Sequence, residues 1–235
     1  MSELERLAYQ HGSTALTGLL ARPSGMPRAA IVLFPTIVNT NPAVERRARM
    51  LADAGFLTLI ADFYGKPVED FAAGQTFAAE LRADPVFYRA RLAAAISALR
   101  NEPGAQALPM IAVGYCMGGG AAIEAARDGQ DLVAAISFHG LLATSLPAEP
   151  GSVQARLLVL HGDADPMVPR DQVAAFMAEM DHAKADWHLH TFSGVRHGFT
   201  DPASDERDLD AVAYDASADQ QSWTAMHAFL DEVLA

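Results

Sequence analysis

With 235 residues, 51% hydrophobic and 20% charged, the chain can bury one substantial core, and a single domain over residues 1–235 is expected. A formal net charge of -12 argues against nucleic acid or an anionic membrane as a partner, because both demand basic surface. The single cysteine excludes an intrachain disulfide framework and suits a reducing compartment.

The amino terminus, Met1-Ser2-Glu3-Leu4-Glu5-Arg6, is acidic and has no long apolar run, so no secretory leader is expected. Leu4 to Tyr9 and Ala15 to Ala21 flank His11-Gly12-Ser13, the pattern of an opening hairpin. Ala29 to Phe34 is a continuous apolar run, as a strand buried on both faces requires. The stretch that contains it, Ala29 to Val38, is the longest apolar one; it is too short to span a bilayer and holds Pro35. A soluble, cytoplasmic protein is expected, either a monomer or a small homo-oligomer.

Pro35 to Thr40 reads as a loop, and Asn41-Pro42 as a helix start with a capping side chain and proline at the first helical position. Val44, Ala48 and Leu51 keep helical spacing until Gly55 stops it. Phe56 to Ala61 is the next strand and ends in Asp62-Phe63-Tyr64-Gly65. Pro67 to Arg100 is mostly helical, with a break near Ala83-Asp84-Pro85. An apolar run, Leu108 to Val113, leads into Gly114-Tyr115-Cys116-Met117-Gly118-Gly119-Gly120, and an alanine-rich helix, Ala121 to Arg127, leads out.

Leu132 to Phe138 is a strand that ends at His139-Gly140. After the proline-bearing loop Leu146 to Gly151, the strand Ala155 to Leu160 ends in His161-Gly162-Asp163-Ala164-Asp165-Pro166. Asp171 to Met180 reads as a helix, with Phe176 and Met180 one turn apart as core residues. Trp187 to Phe192 alternates like a strand, Ser193 to Thr200 is a loop, and Ala218 to Leu234 is a closing amphipathic helix. The acidic, weakly periodic segment Asp201 to Asp219 reads as a solvated surface excursion. Strands alternating with helices predict an α/β protein with a mostly parallel central sheet and helices on both faces.

Strand, tight turn and helix with glycines at both flanks is the layout of a nucleophile elbow, written G-x-S-x-G in its serine form. The turn strains the nucleophile's backbone, and a side chain at Gly114 or Gly118 would collide with the crossing chain. The helix N-terminus beside the sulfur favours a thiolate. A lone cysteine is otherwise commonly just a small packing residue, so its partners must decide. Functional groups of such sheets gather at the carboxyl ends of strands. Cys116, the pair Asp163 and Asp165, and His197 all occupy that position, in the order nucleophile, acid, histidine.

A histidine can take the thiol proton and return one to the leaving group, and an aspartate on its other nitrogen would hold the tautomer. Asp165 lies further into its loop and is the better placed acid, whereas Asp163 would cap the turn. His139 and His161 end strands near the presumed site and read as pocket wall or support. His188 and His190 share a strand face without a third ligand nearby, and a solvated role is expected for them. The chain shows no phosphate-binding loop of the Walker or G-x-G-x-x-G kind, so neither nucleotide, cofactor nor metal is expected.

Together, Gly114-Tyr115-Cys116-Met117-Gly118-Gly119, Asp62-Phe63-Tyr64-Gly65, His161-Gly162-Asp163-Ala164-Asp165-Pro166-Met167-Val168-Pro169 and His197-Gly198-Phe199 resemble the dienelactone hydrolase family of α/β-hydrolases. The resemblance implies the α/β-hydrolase fold and a Cys116-His197-Asp165 triad that attacks a small ester or lactone. It also implies an oxyanion hole made by the backbone N–H groups of Ile37 and Met117. Thr36, Tyr115 and Phe199 are the candidate substrate contacts.

Two departures stand out. Thr36 occupies the place of a family glutamate that engages the resting cysteine. Gly198 and Asp201 stand where the family holds a substrate carboxylate with serine and arginine. A neutral ester, lactone or thioester is therefore the expected substrate. A non-catalytic small-molecule binding protein is the alternative: the missing glutamate favours it and the three triad residue types oppose it. Redox sensing by Cys116 is weakened by the absence of a second, resolving cysteine.

Overall fold

Six consecutive apolar residues make β3 (Ala29–Phe34) a strand with no exposed face, and β4 (Phe56–Ile60) is buried along its whole length as well. The computed structural model describes residues 3–235; Met1 and Ser2, at the start of the segment where no leader is expected, lie outside the described residues. By its internal contacts the chain divides into two units, Met1–Val113 and Gly114–Ala235.

In the first unit, β1 (Leu4–His11) and β2 (Thr14–Ala21) form the expected hairpin, with Leu4 opposite Ala21 and His11 opposite Thr14. Strand β2 is antiparallel to β4, and β4 is parallel to β3, giving the order β1-β2-β4-β3. Helix α1 (Pro42–Asp53) starts as its sequence requires: the Asn41 side chain accepts a hydrogen bond from the Val44 N–H at 3.0 Å. The break in the next helical region is also a capping event. Asp84 separates α2 (Phe71–Arg82) from α3 (Pro85–Arg100) and accepts from the N–H groups of Val86 and Phe87. Strand β5 (Met110–Tyr115) begins in this unit and ends in the next.

Asp62-Phe63-Tyr64-Gly65 turns out to be a structural knot. The Asp62 carboxylate accepts hydrogen bonds from the N–H groups of Thr17, Tyr64 and Gly65 and from Asn39 Nδ2, each at 2.9–3.0 Å. The Tyr9 hydroxyl donates to the Asp62 carbonyl and accepts from the Asp62 N–H. Burial pushes that hydroxyl well above its ordinary pKa. Arg91 donates to the Phe63 carbonyl at 2.7 Å and closes the cluster. A carboxylate saturated by four donors fixes a loop rather than performing acid–base chemistry.

In the second unit, β6 (Ala134–Phe138), β7 (Arg156–Gly162) and β8 (Trp187–Phe192) pair in parallel in that order. Helix α4 (Met117–Arg127) begins directly after Cys116, four residues before the alanine-rich stretch, so Gly118, Gly119 and Gly120 are helical. Close approach explains this use of poor helix formers: a Cβ on Gly119 would lie 2.7 Å from Ser137 Oγ and 2.8 Å from Gly140 Cα. Helix α4 is then anchored to α5 (Arg170–Ala183) by Arg127, which bonds to Glu124, to both oxygens of Glu179 and to the Leu142 carbonyl. A short 3-10 helix (Pro202–Glu206) precedes α6 (Ala216–Val233), which packs on β6 and β7. Among the described residues, no helix is long and apolar enough to cross a membrane.

Candidate active site

Cys116 sits between β5 and α4 with φ +57° and ψ -120°, a left-handed conformation that costs a non-glycine residue on the order of 1–3 kcal/mol. A Cβ at Gly114 would run into the Gly118 carbonyl, so the glycine before the nucleophile position is a steric necessity. The thiol makes no capping hydrogen bond with the helix it precedes. The Met117 N–H stands in the first turn of α4, at the positive end of its dipole. The Cys116 N–H is shared between the Phe138 carbonyl at 3.0 Å and His139 Nδ1 at 3.1 Å.

Asp165 follows β7 and uses both carboxylate oxygens. Oδ1 accepts from the Met167 N–H at 2.8 Å, and Oδ2 lies 2.7 Å from His197 Nδ1, with both side chains out of solvent. The expectation that Asp163 caps this turn is corrected. Asp165 does so itself, while Asp163 turns outward to Arg170, which donates to it from Nε at 2.8 Å and from Nη2 at 2.6 Å. Burial works against a charged His197, but the Cys116 sulfur and the Asp165 hydrogen bond outweigh it and push the imidazole up to about 10. His197 Nε2, the ring nitrogen not facing Asp165, is buried and has no hydrogen-bond partner among the described residues. His161, buried nearby, is pushed the other way by desolvation, against weaker pulls from Asp165 and Asp163, and its Nε2 has no hydrogen-bond partner.

The loop that carries His197 is held from outside. The His197 N–H donates to the Ala211 carbonyl and its own carbonyl accepts from the Ala213 N–H; the Asp215 N–H donates to the Phe199 carbonyl. Ser204 Oγ donates to the Gly198 carbonyl at 2.8 Å. The segment Asp201 to Asp219 is therefore not the solvated excursion its acidity suggests. Its tip is exposed, but Ser204 and the run from Ala211 to Asp215 buttress the histidine.

The two departures from the family pattern have local reasons. Gly198 holds φ +69°, and a Cβ there would meet Ser204 Oγ at 2.9 Å, so both the backbone and the space disfavour a side chain at this position. Asp201 caps the 3-10 helix through the Ala203 N–H and pairs with Arg207 at 2.9 Å. Phe199 is buried edge-on to His139 at 5.2 Å, and Tyr115 is stacked on Phe138 at 4.6 Å. In the first unit, Thr36 Oγ1 accepts from Asn41 Nδ2 at 3.1 Å and the Ile37 carbonyl accepts from the Tyr64 hydroxyl at 3.0 Å. His188 and His190 are exposed on β8, and among the described residues no group of three His, Cys, Asp or Glu side chains is placed to hold a metal ion.

Sequence reasoning passed over Thr200, whose Oγ1 lies 2.9 Å from His139 Nε2. The signal was a polar residue three positions after His197, and nothing in the sequence ties it to position 139.

A model of the dienelactone hydrolase family matches residues 16–234. The chain belongs to the dienelactone hydrolase family. It is therefore a hydrolase of the dienelactone hydrolase type, with the mostly parallel, helix-flanked sheet of the α/β-hydrolase fold. Among solved structures it is similar to the dienelactone hydrolase-like promiscuous phosphotriesterase P91 from metagenomic libraries, at 34% identity over 98% of each chain with a TM-score of 0.94. An uncharacterised Caenorhabditis elegans protein is 38% identical over 151 residues, 62% of this chain and 93% of that one. A probable 2-oxo-3-(5-oxofuran-2-ylidene)propanoate lactonase from Bradyrhizobium sp is 27% identical over 87% of this chain and 84% of its own length.

Proposed function

We propose that this family member hydrolyses small, neutral carboxylic esters or lactones through Cys116, His197 and Asp165, with an acyl-cysteine intermediate. The observation that carries the reading is the buried 2.7 Å contact of Asp165 with His197 Nδ1. The family model runs across both contact units, which supports treating residues 1–235 as one functional domain.

In this scheme Cys116 Sγ adds to the carbonyl carbon, and the carbonyl oxygen becomes an oxyanion beside the Met117 N–H. The bond to the leaving alkoxide breaks as His197 Nε2 gives it a proton. A water then loses a proton to Nε2, its oxygen displaces Sγ from the acyl carbon, and the acid leaves. Asp165 keeps the proton on Nδ1 throughout and stabilises the imidazolium. In this scheme the thiolate rests on the His197 imidazolium, since Thr36 cannot take a proton as the family's glutamate can. Asp201, where the family places an arginine, supplies no cation to hold a substrate carboxylate, its own charge being paired with Arg207.

Stopped-flow hydrolysis of p-nitrophenyl acetate by wild type and Cys116→Ala tests the scheme. We expect a burst of about one equivalent followed by turnover, both lost in the variant. A burst without turnover would mean that deacylation fails. Wild-type rates in Cys116→Ala would sink the scheme, and no Cys116-dependent signal would point to a binding protein.

A further inference from the structure

The geometry points to His139 as a positioning residue that ties the nucleophile turn to the histidine loop, through Nδ1 to the Cys116 N–H and through Nε2 to Thr200 Oγ1. This role rests on the reading of Cys116 and His197 as a working pair.

His139 directly follows β6, is buried, and holds φ +40°, a conformation uncommon outside glycine. Both ring nitrogens are engaged, at 3.1 Å to the Cys116 N–H and 2.9 Å to Thr200 Oγ1. A backbone N–H can only donate, so Nδ1 must present its lone pair. The neutral ring then carries its proton on Nε2 and donates to the Thr200 hydroxyl. A second proton on Nδ1 would break the bond to Cys116, and the His197 ring only 5.1 Å away makes a second cation here unfavourable.

The two contacts belong to separate parts of the site. One holds the residue whose strained backbone aims the sulfur; the other holds a residue three positions beyond His197. Attraction between a thiolate and an imidazolium weakens with separation. A tie that prevents the turn and the loop from drifting apart therefore keeps the thiolate favoured. The Phe138 carbonyl shares the Cys116 N–H, so removal of His139 loosens the turn without unpairing that group.

Because Cys116 is the only cysteine, the pH dependence of iodoacetamide alkylation reports its thiolate alone, with no substrate present. His139→Phe keeps an aromatic ring and removes both bonds. His139→Asn tolerates the backbone conformation and returns an acceptor near Nδ1. We expect His139→Phe to raise the alkylation midpoint by about one pH unit, and so to slow labelling about tenfold at a pH well below both midpoints. His139→Asn should recover part of this, and Thr200→Val should shift the midpoint in the same direction by less.

A merely structural role would lower the melting temperature and leave the alkylation profile in place. A wild-type profile in folded His139→Phe overturns the inference. If that variant does not fold, a wild-type profile in Thr200→Val overturns it instead. Failure of the wild type to hydrolyse esters, with its alkylation midpoint still depressed and still sensitive to His139, would sink the hydrolytic reading alone.

Discussion

Asp163 and Asp165 stand two positions apart in one turn, yet their carboxylates meet different surroundings. Asp163 is outside, paired with an exposed Arg170, and the hydrogen bonds from that guanidinium hold it below its ordinary carboxylate value. Asp165 is inside, 2.7 Å from His197 Nδ1. The folded value of His197, about 10, lies above its ordinary value of 6.5. The stability it confers is thus fully present below about 6.5 and is lost as pH rises through about 10. Asp165→Asn should lower the titration midpoint of His197, followed by NMR, and reduce kcat for ester hydrolysis on the order of a thousandfold or more. Asp163→Asn should leave both nearly unchanged. The reverse ranking would assign the acid to the other residue. The sequence already favoured Asp165, because its position in the loop lets it reach sideways. It could not show that the turn's cap and the histidine's partner are one side chain.

At the scale of elements, the elbow depends on how tightly α4 sits on β6. Gly119 allows the approach, and Arg127 fastens the far end of the helix. The Arg127 side chain is 1% exposed and faces two carboxylates, Glu124 at 2.8 Å and Glu179 at 2.7 Å. Arg127→Leu leaves those charges buried without compensation and should cost about 3–5 kcal/mol in urea unfolding. Adding Glu124→Gln and Glu179→Gln to it should return much of the loss, because the uncompensated charge is then gone. If the triple variant is no more stable than Arg127→Leu, lost packing rather than stranded charge is the cause.

The start of α4 shows why helix propensity misplaced this boundary. Three consecutive glycines read as loop by propensity, yet all three lie in the helix, where Gly119 gives the room for Ser137 and Gly140 and Gly120 the room for Leu141. The segment 201–215 failed for a related reason. Its acidity reads as solvation, while its backbone bonds to residues 197 to 199 depend on a loop path that no local pattern encodes.

Over the whole molecule, the alternation of strands and helices and the mostly parallel sheet were legible because they rest on local signals, namely apolar runs and the polar turns after them. The second tier of the site was not, since His139 and Thr200 come together only through tertiary packing, 61 positions apart. Charge is the remaining global property with a functional consequence. A net charge of -12 repels an anionic substrate at long range, and Asp201, paired with Arg207, leaves no cation at that point of the histidine loop to attract one. These effects differ in their response to salt. Long-range repulsion is screened over about 8 Å at physiological ionic strength, whereas recognition at contact distance is much less sensitive. For two esters matched in leaving group, one neutral and one bearing a carboxylate, kcat/KM should favour the neutral ester. Added salt should raise kcat/KM for the anionic ester and leave the neutral one nearly flat. A preference for the neutral ester that does not narrow with salt would place discrimination at contact distance. A preference for the anionic ester at low salt would mean that a cationic group in the site outweighs the field, and would return carboxylate-bearing lactones to the head of the substrate list.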